Sequence, residues 1–280
     1  MVGATFIWGS IPIFAIWCNL PSPVFILFRV LFAFPFVFIY AVKTIGKKEL
    51  FNLKNVSPLI FSGLMLALNW IFLFWAVQKT SIGNAVIIYY LGPIITIFLS
   101  VIFLKEPFNK ITLLSMFLAF FGGVLIFLPN NMGRQSIFGL VLALFSAIFY
   151  GLLGFYSKIG TKYHSAIKIT TYQIFISILF TLPFGIIMHF TITPKVLILL
   201  FITGVIHTAL ALFLWYDSLN FISITTSSIL SYLDPMFAII LSFIFLKQTP
   251  NLPQIIGGVF IAISGIIIPI SERKEYYISQ

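Results

Sequence analysis

Apolar positions in this chain run together in long blocks, with no sustained alternation against polar ones. A bilayer-crossing helix needs about 20 mostly apolar residues. The blocks predict spans near 2–18, 23–42, 56–77, 82–104, 110–128, 136–157, 166–189, 195–216, 222–246 and 254–270. The breaks carry turn chemistry or charge: Asn19-Leu-Pro-Ser-Pro23, Lys43 to Lys54, Pro129-Asn-Asn-Met-Gly133 and Thr193-Pro194. The expected fold class is an all-α polytopic membrane protein of ten transmembrane helices.

The blocks repeat. A shift of 142 residues lays Tyr90-Leu-Gly-Pro93 on Tyr232-Leu-Asp-Pro235, and ten of the sixteen residues from Tyr90 to Lys105 are identical to their counterparts. The same shift lays Trp8-Gly9 on Tyr150-Gly151 and Gly123 on Gly265. Apolar composition alone does not produce that register. The expected organisation is a first five-helix repeat over 1–128, a linker at 129–135, a second repeat over 136–271 and a cytoplasmic tail over 272–280. Five is odd, so the second half enters the membrane from the opposite face. Inverted halves with a site between them are a recurrent plan of secondary transporters.

Composition fixes the solvent. Of 280 residues, 61% are hydrophobic and 8% charged, and Phe alone occurs 34 times. Soluble chains carry about 25% charged residues. The net charge of +10 does not indicate nucleic-acid binding, because the basic residues stand singly between spans. With the N-terminus inside, cytoplasmic segments hold eleven Lys and Arg (Lys43, Lys47, Lys48, Lys54, Lys105, Lys110, Lys158, Lys162, Lys168, Arg273, Lys274) and the other side four (Lys79, Arg134, Lys195, Lys247). That bias predicts both termini in the cytoplasm; the expected location is the plasma membrane. Residues 1–17 contain no Lys or Arg, so the first block reads as a retained helix. Cys18 is the only cysteine, which excludes an intrachain disulfide and a Cys-based metal cluster. Neither a His-Glu-x-x-His motif nor a P-loop occurs. No catalytic residue, metal or cofactor is expected. The expected partners are the bilayer and a small-molecule solute.

The ordered motifs resemble the drug/metabolite transporter superfamily, in its EamA-type branch. They are Trp8-Gly9-Ser10, Arg29, Tyr90-Leu-Gly-Pro93 followed by Phe103-Leu-Lys-Glu-Pro107, Phe121-Gly-Gly123, Ser231-Tyr-Leu-Asp-Pro235 and Ser264-Gly265. The stretch Ala67-Leu-Asn-Trp70 with Phe74-Trp75-Ala76 resembles the RarD-type subgroup. The chain departs from the family pattern at Gln248, where Glu is usual, and at Asp234, where Glu is commoner. The resemblance implies a secondary transporter, an exporter of amino acids, other metabolites or drugs.

Ionisable residues inside spans cost about 2.5–3.5 kcal/mol each on insertion scales, so they mark candidate sites. Arg29, His207 and Asp234 are such residues. Asp234 suits a substrate amine or a proton, and His207 suits a proton. Arg29 and Asp234 are expected at similar depth, either as a charge pair or with Arg29 reaching the headgroups and Asp234 bonded to hydroxyls. Pro93 and Pro235 should loosen equivalent helices, because proline removes a helical hydrogen bond. Trp8, Asn69, Tyr89, Tyr90, Tyr150, Ser231 and Tyr232 complete the expected substrate-binding set with Pro93, His207 and Asp234. With one cation well inside a span, the expected solute is zwitterionic, cationic or neutral. Phosphorylated metabolites or nucleotide sugars are the alternative and would want several cations. A channel or a membrane enzyme is the alternative from a different class. Ser115, Ala119 and Gly123, like Gly258 and Ala262, form small-residue faces for close packing, within one chain or in a homodimer.

Overall fold

The computed structural model describes residues 1–128 and 136–278, with side chains through Glu272. The expected linker 129–135 and the end of the chain, 279–280, lie outside the described residues, and so does Arg134. The described residues are helical throughout, joined by short turns. We number the crossings α1 Val2–Cys18, α2 Ser22–Thr44, α3 Ser57–Lys79, α4 Ile82–Leu104, α5 Lys110–Phe127, α6 Ile137–Thr161, α7 Ala166–Ile187, α8 Pro194–Ser218, α9 Ile224–Leu246 and α10 Leu252–Ile278. Helices α2 to α10 are each long and apolar enough to cross a membrane. Three details differ from expectation. The first span is two short helices, Val2–Gly9 and Ile11–Cys18, broken at Ser10. A short helix, Gly46–Leu50, occupies the α2–α3 connection. The last helix continues to Ile278, so the expected tail begins as helix.

The starts of the spans are chemically marked. Ser81, Asn109, Ser136, Thr193 and Ser223 each accept a bond from a backbone N–H in the first turn of α4, α5, α6, α8 and α9. Each cap satisfies one of the backbone N–H groups that a helix start leaves without an intrahelical partner.

The prolines act one turn upstream of themselves. In α4 the α-helix is interrupted at Tyr90, three residues before Pro93. In α9 it is interrupted at Ser231–Tyr232, before Pro235. The Tyr90 carbonyl accepts from the Tyr232 hydroxyl, and the two rings stack 5.3 Å apart. These residues are related by the 142-residue shift. A further irregularity carries no proline: Thr203–Leu210 of α8 is wound as a π-helix. Its wider turn releases backbone carbonyls from the normal ladder.

Contacts also recur at the 142-residue spacing. A side chain at Gly9 would meet Phe237 and the Asp234 carbonyl, and one at Gly151 would meet Ile95 and the Gly92 carbonyl. Thus α1 lies against α9 as α6 lies against α4. Lys105 and Lys247 both turn left-handed, at φ 57° and 58°, and close their helices on the carbonyls of Ser100 and Ser242. Helices α5 and α10 meet within this chain through Ser115, Gly122, Gly257 and Ser264, whereas the expected Gly123 and Gly258 face Tyr232 and Met236 instead. A Cβ at Gly122 would come within 2.7 Å of the Gly257 carbonyl, and Ser264 Oγ donates to the Ser115 carbonyl at 2.7 Å.

Candidate functional site: a central aromatic cavity

Between the packed helices lies a cavity of about 460 Å³. Six of its crossings contribute the residues that matter most: Trp8 of α1, Arg29 of α2, Asn69 and Trp70 of α3, Tyr89 and Tyr90 of α4, Tyr150 of α6 and Asp234 of α9. Trp215 and Tyr216 of α8 and Phe127 of α5 complete an aromatic lining. The cavity also touches Ile11, Pro12, Ile82 and Phe127, which lie toward the end of the bundle away from Met1.

Arg29 is held in place without a carboxylate. Its Nε donates to Thr208 Oγ1 at 3.1 Å and its Nη2 to the His207 carbonyl at 3.5 Å. That carbonyl belongs to the π-wound stretch, which also accepts from Trp8 Nε1 at 3.0 Å. The guanidinium lies 5.7 Å from the ring centres of both Phe25 and Trp70. A guanidinium has five N–H donors, so donors remain for a ligand beyond these two bonds.

Asp234 sits in the first turn of the segment that follows the α9 break, where helix-end N–H groups favour negative charge. Its Oδ1 is buried with no hydrogen-bond partner among the described residues. Arg29 and Asp234 line the same cavity but form no ion pair. Among the described residues, the ion pair present is Lys168–Glu49 at 3.3 Å, outside the cavity. The expected Arg29–Asp234 pair is absent in this conformation because carbonyl and hydroxyl groups of α8 already orient Arg29.

Asn69 donates to the Ser146 carbonyl and hydroxyl at 3.0 and 3.2 Å, tying α3 to α6 behind the cavity wall. Tyr89 and Tyr150 stack 4.9 Å apart at 16°. Tyr150 fills the space beside Gly92, where a Cβ would come within 2.4 Å of its ring. On the related side Gly9 packs against the Asp234 carbonyl, and the Asp234 side chain joins the cavity lining. The two halves thus present different chemistry at equivalent places.

Four expected site residues lie outside the cavity lining. Pro93 is buried inside α4. Ser231 is buried and donates to the Ser227 carbonyl at 3.1 Å. Tyr232 is fully buried against Tyr90. His207 points its ring away from the cavity, to Ser10 Oγ at 2.7 Å and Phe14, in a separate apolar groove. Only its carbonyl serves Arg29 and Trp8. The wider π turn of α8 changes which face each residue occupies, and sequence spacing at 3.6 residues per turn does not anticipate that.

Trp70, Trp215, Tyr216 and Phe127 were not singled out from the sequence. Tyr216 bonds Gln173 Oε1, and Gln173 Nε2 donates to Ser157 Oγ at 3.2 Å, so a buried polar chain links α8, α7 and α6. A glutamine within the seventh apolar block was the available signal.

The described residues form a helical bundle around a central cavity walled by six or more crossings, an arrangement that solute transporters share. The sequence profile of the EamA-like transporter family matches residues 1–128 and 137–269, and the chain belongs to that family. It is 31% identical over 286 residues to the uncharacterized transporter YxxF of Bacillus subtilis strain 168, covering 98% of this chain and 89% of that one. It is 27% identical over 272 residues to protein RarD of Escherichia coli K12, covering 93% and 89%. A solved crystal structure shares the fold at a TM-score of 0.84 and 15% identity, covering 98% of this chain and 96% of that one. The chain is therefore a multi-pass transporter-family protein.

Proposed function

We propose that this protein is a secondary transporter of the plasma membrane that exports a small zwitterionic, cationic or neutral metabolite, such as an amino acid, by alternating access. The observation that carries the reading is that the cavity holds two residues of opposite charge among aromatic rings, Arg29 with donors to spare and Asp234 with a carboxyl oxygen that has no hydrogen-bond partner among the described residues. A zwitterion would set its ammonium group at Asp234 and its carboxylate at Arg29. The rings would cover an apolar or cationic remainder. A phosphorylated solute fits less well, because Arg29 is the one basic residue in the lining. The two five-helix halves, 1–128 and 136–271, are read as inverted repeats that rock about this cavity, with both termini cytoplasmic.

A ligand-induced thermal-shift screen over amino acids, amines and sugar phosphates tests the substrate class on purified protein. Amino acids or amines should raise the melting temperature, and Asp234→Asn and Arg29→Gln should each remove the shift. Stabilisation by sugar phosphates alone would overturn the proposal. Solute counterflow in proteoliposomes separates a carrier from a pore, since a carrier shows trans-stimulation.

A further inference from the structure

The end of the bundle holding Met1 is closed by charged groups. The turn from α8 to α9 is gripped by three other helices. From α6, Lys158 Nζ donates to the carbonyls of Leu219 at 2.6 Å and Ile222 at 2.9 Å. From α10, Glu272 Oε1 accepts from Ser223 N at 2.7 Å. From the end of α4, Glu106 accepts from Ile224 N at 2.9 Å, Thr225 N at 3.0 Å and Thr225 Oγ1 at 2.7 Å. The left-handed turn at Lys105 swings the chain back so that Glu106 reaches α9. Ser100 Oγ meets Thr225 Oγ1 at 3.0 Å just inside this layer.

The opposite end is built differently at the related positions. Glu106 corresponds to Gln248, which is uncharged and exposed, and Lys158 corresponds to Ile16. The first residues of α4 and α9 also correspond, and their exposures are opposite: Ile82 is 66% exposed and Ile224 fully buried. The cavity includes Ile82 in its lining, while Ile224 lies behind the charged layer.

We infer that Glu106, Lys158 and Glu272 form an ionic latch that holds the Met1 end shut and sets the resting conformation. Hydrogen bonds to ionised groups are about twice as strong as neutral ones. The end that carries Gln248 lacks that reinforcement, so the protein rests closed at the Met1 end and open at the other. Releasing Glu106 and Lys158 from the α8–α9 turn is the event that exchanges the two. This inference rests on the alternating-access reading, and its test separates the two.

The test uses water-soluble maleimide on full-length protein in detergent, in a Cys18→Ser background with a single reporter, Ile224→Cys or Ile82→Cys. Glu106→Gln makes the two ends alike at this position. It should speed labelling at 224 by about tenfold, the effect of losing one charge-assisted bond, and slow labelling at 82. Gln248→Glu should act in the reverse sense at both reporters. If Glu106→Gln does not fold, Lys158→Gln carries the same expectation. Unchanged labelling at 224 would overturn the latch, as would faster labelling at both reporters, which marks general loosening. Faster labelling at 224 with no change at 82 would keep the latch and overturn the coupling of the two ends.

Discussion

At the scale of single residues, Asp234 and Gly92 show how one duplicated segment acquires two uses. Each lies just before the equivalent proline. Gly92 yields its side-chain volume to Tyr150, whereas Asp234 places a carboxyl group at the cavity. Polar and aromatic residues within apolar blocks pointed to Trp8, Arg29, Asn69, Tyr89, Tyr90, Tyr150 and Asp234, because lipid tolerates such groups only where protein or water covers them. The same logic identified His207, Ser231 and Tyr232 as turned inward. It did not distinguish inward toward a cavity from inward toward a neighbouring helix, and that choice depends on local winding. Tyr216 and Gln173 provide a measurable case. Tyr216→Phe leaves a buried amide without its partner and should lower stability by about 1–3 kcal/mol. Adding Gln173→Leu should recover part of the loss, read as melting temperatures in a double-mutant cycle.

At the scale of elements, the spans were legible because a fixed bilayer thickness demands a fixed apolar length. The π-winding of Thr203–Leu210 was not, since it carries no proline; the break at Ser10 did have a signal, in Pro12 two residues further on. The α5–α10 seam rests on Gly122 and Gly257, whose backbones touch. Gly122→Val should destabilise by about 1–3 kcal/mol through overpacking, measured as a fall in melting temperature, while Gly258→Ala should change little because its nearest neighbour is the flexible Met236 at 3.7 Å. The helix Gly46–Leu50 is tied to α7 by Lys168, which is fully buried and donates to the carbonyls of Glu49 at 2.7 Å and Asn52 at 2.8 Å. Lys168 also bonds Glu49 Oε1, which holds the exposed Glu49 carboxyl below its ordinary pKa. A depressed carboxylate contributes stability above its ordinary pKa and loses it as pH falls through the lowered value. Glu49→Gln should therefore melt slightly below the parent at neutral pH and equal it in acid. Lys168→Met should melt well below both at either pH, because two carbonyls lose their donor.

At the scale of the whole molecule, the two halves are interleaved. Helix α2 packs on α7 and α8, α3 on α6 and α7, α5 on α10, and α1 on α9. Few of the deepest contacts lie within one half. Separately expressed segments 1–135 and 136–280 should each be degraded or aggregate when made alone. Co-expressed, they should copurify and bind the same ligands as the intact chain; failure to copurify would count against the interleaving.

That interleaving has a consequence for biogenesis. Arg29 enters the bilayer with α2, yet the groups that hold it, Thr208 and the His207 carbonyl, are about 180 residues later in the chain. Synthesis proceeds at roughly 5–20 residues per second, so this guanidinium spends on the order of ten seconds or more without its final partners. Throughout that interval α2 must shelter beside the insertion machinery, or let Arg29 reach up to the headgroups, until α8 arrives. The residue proposed to hold the solute is thus exposed to misinsertion while the protein is being made, and quality control of the nascent first half should hinge on it.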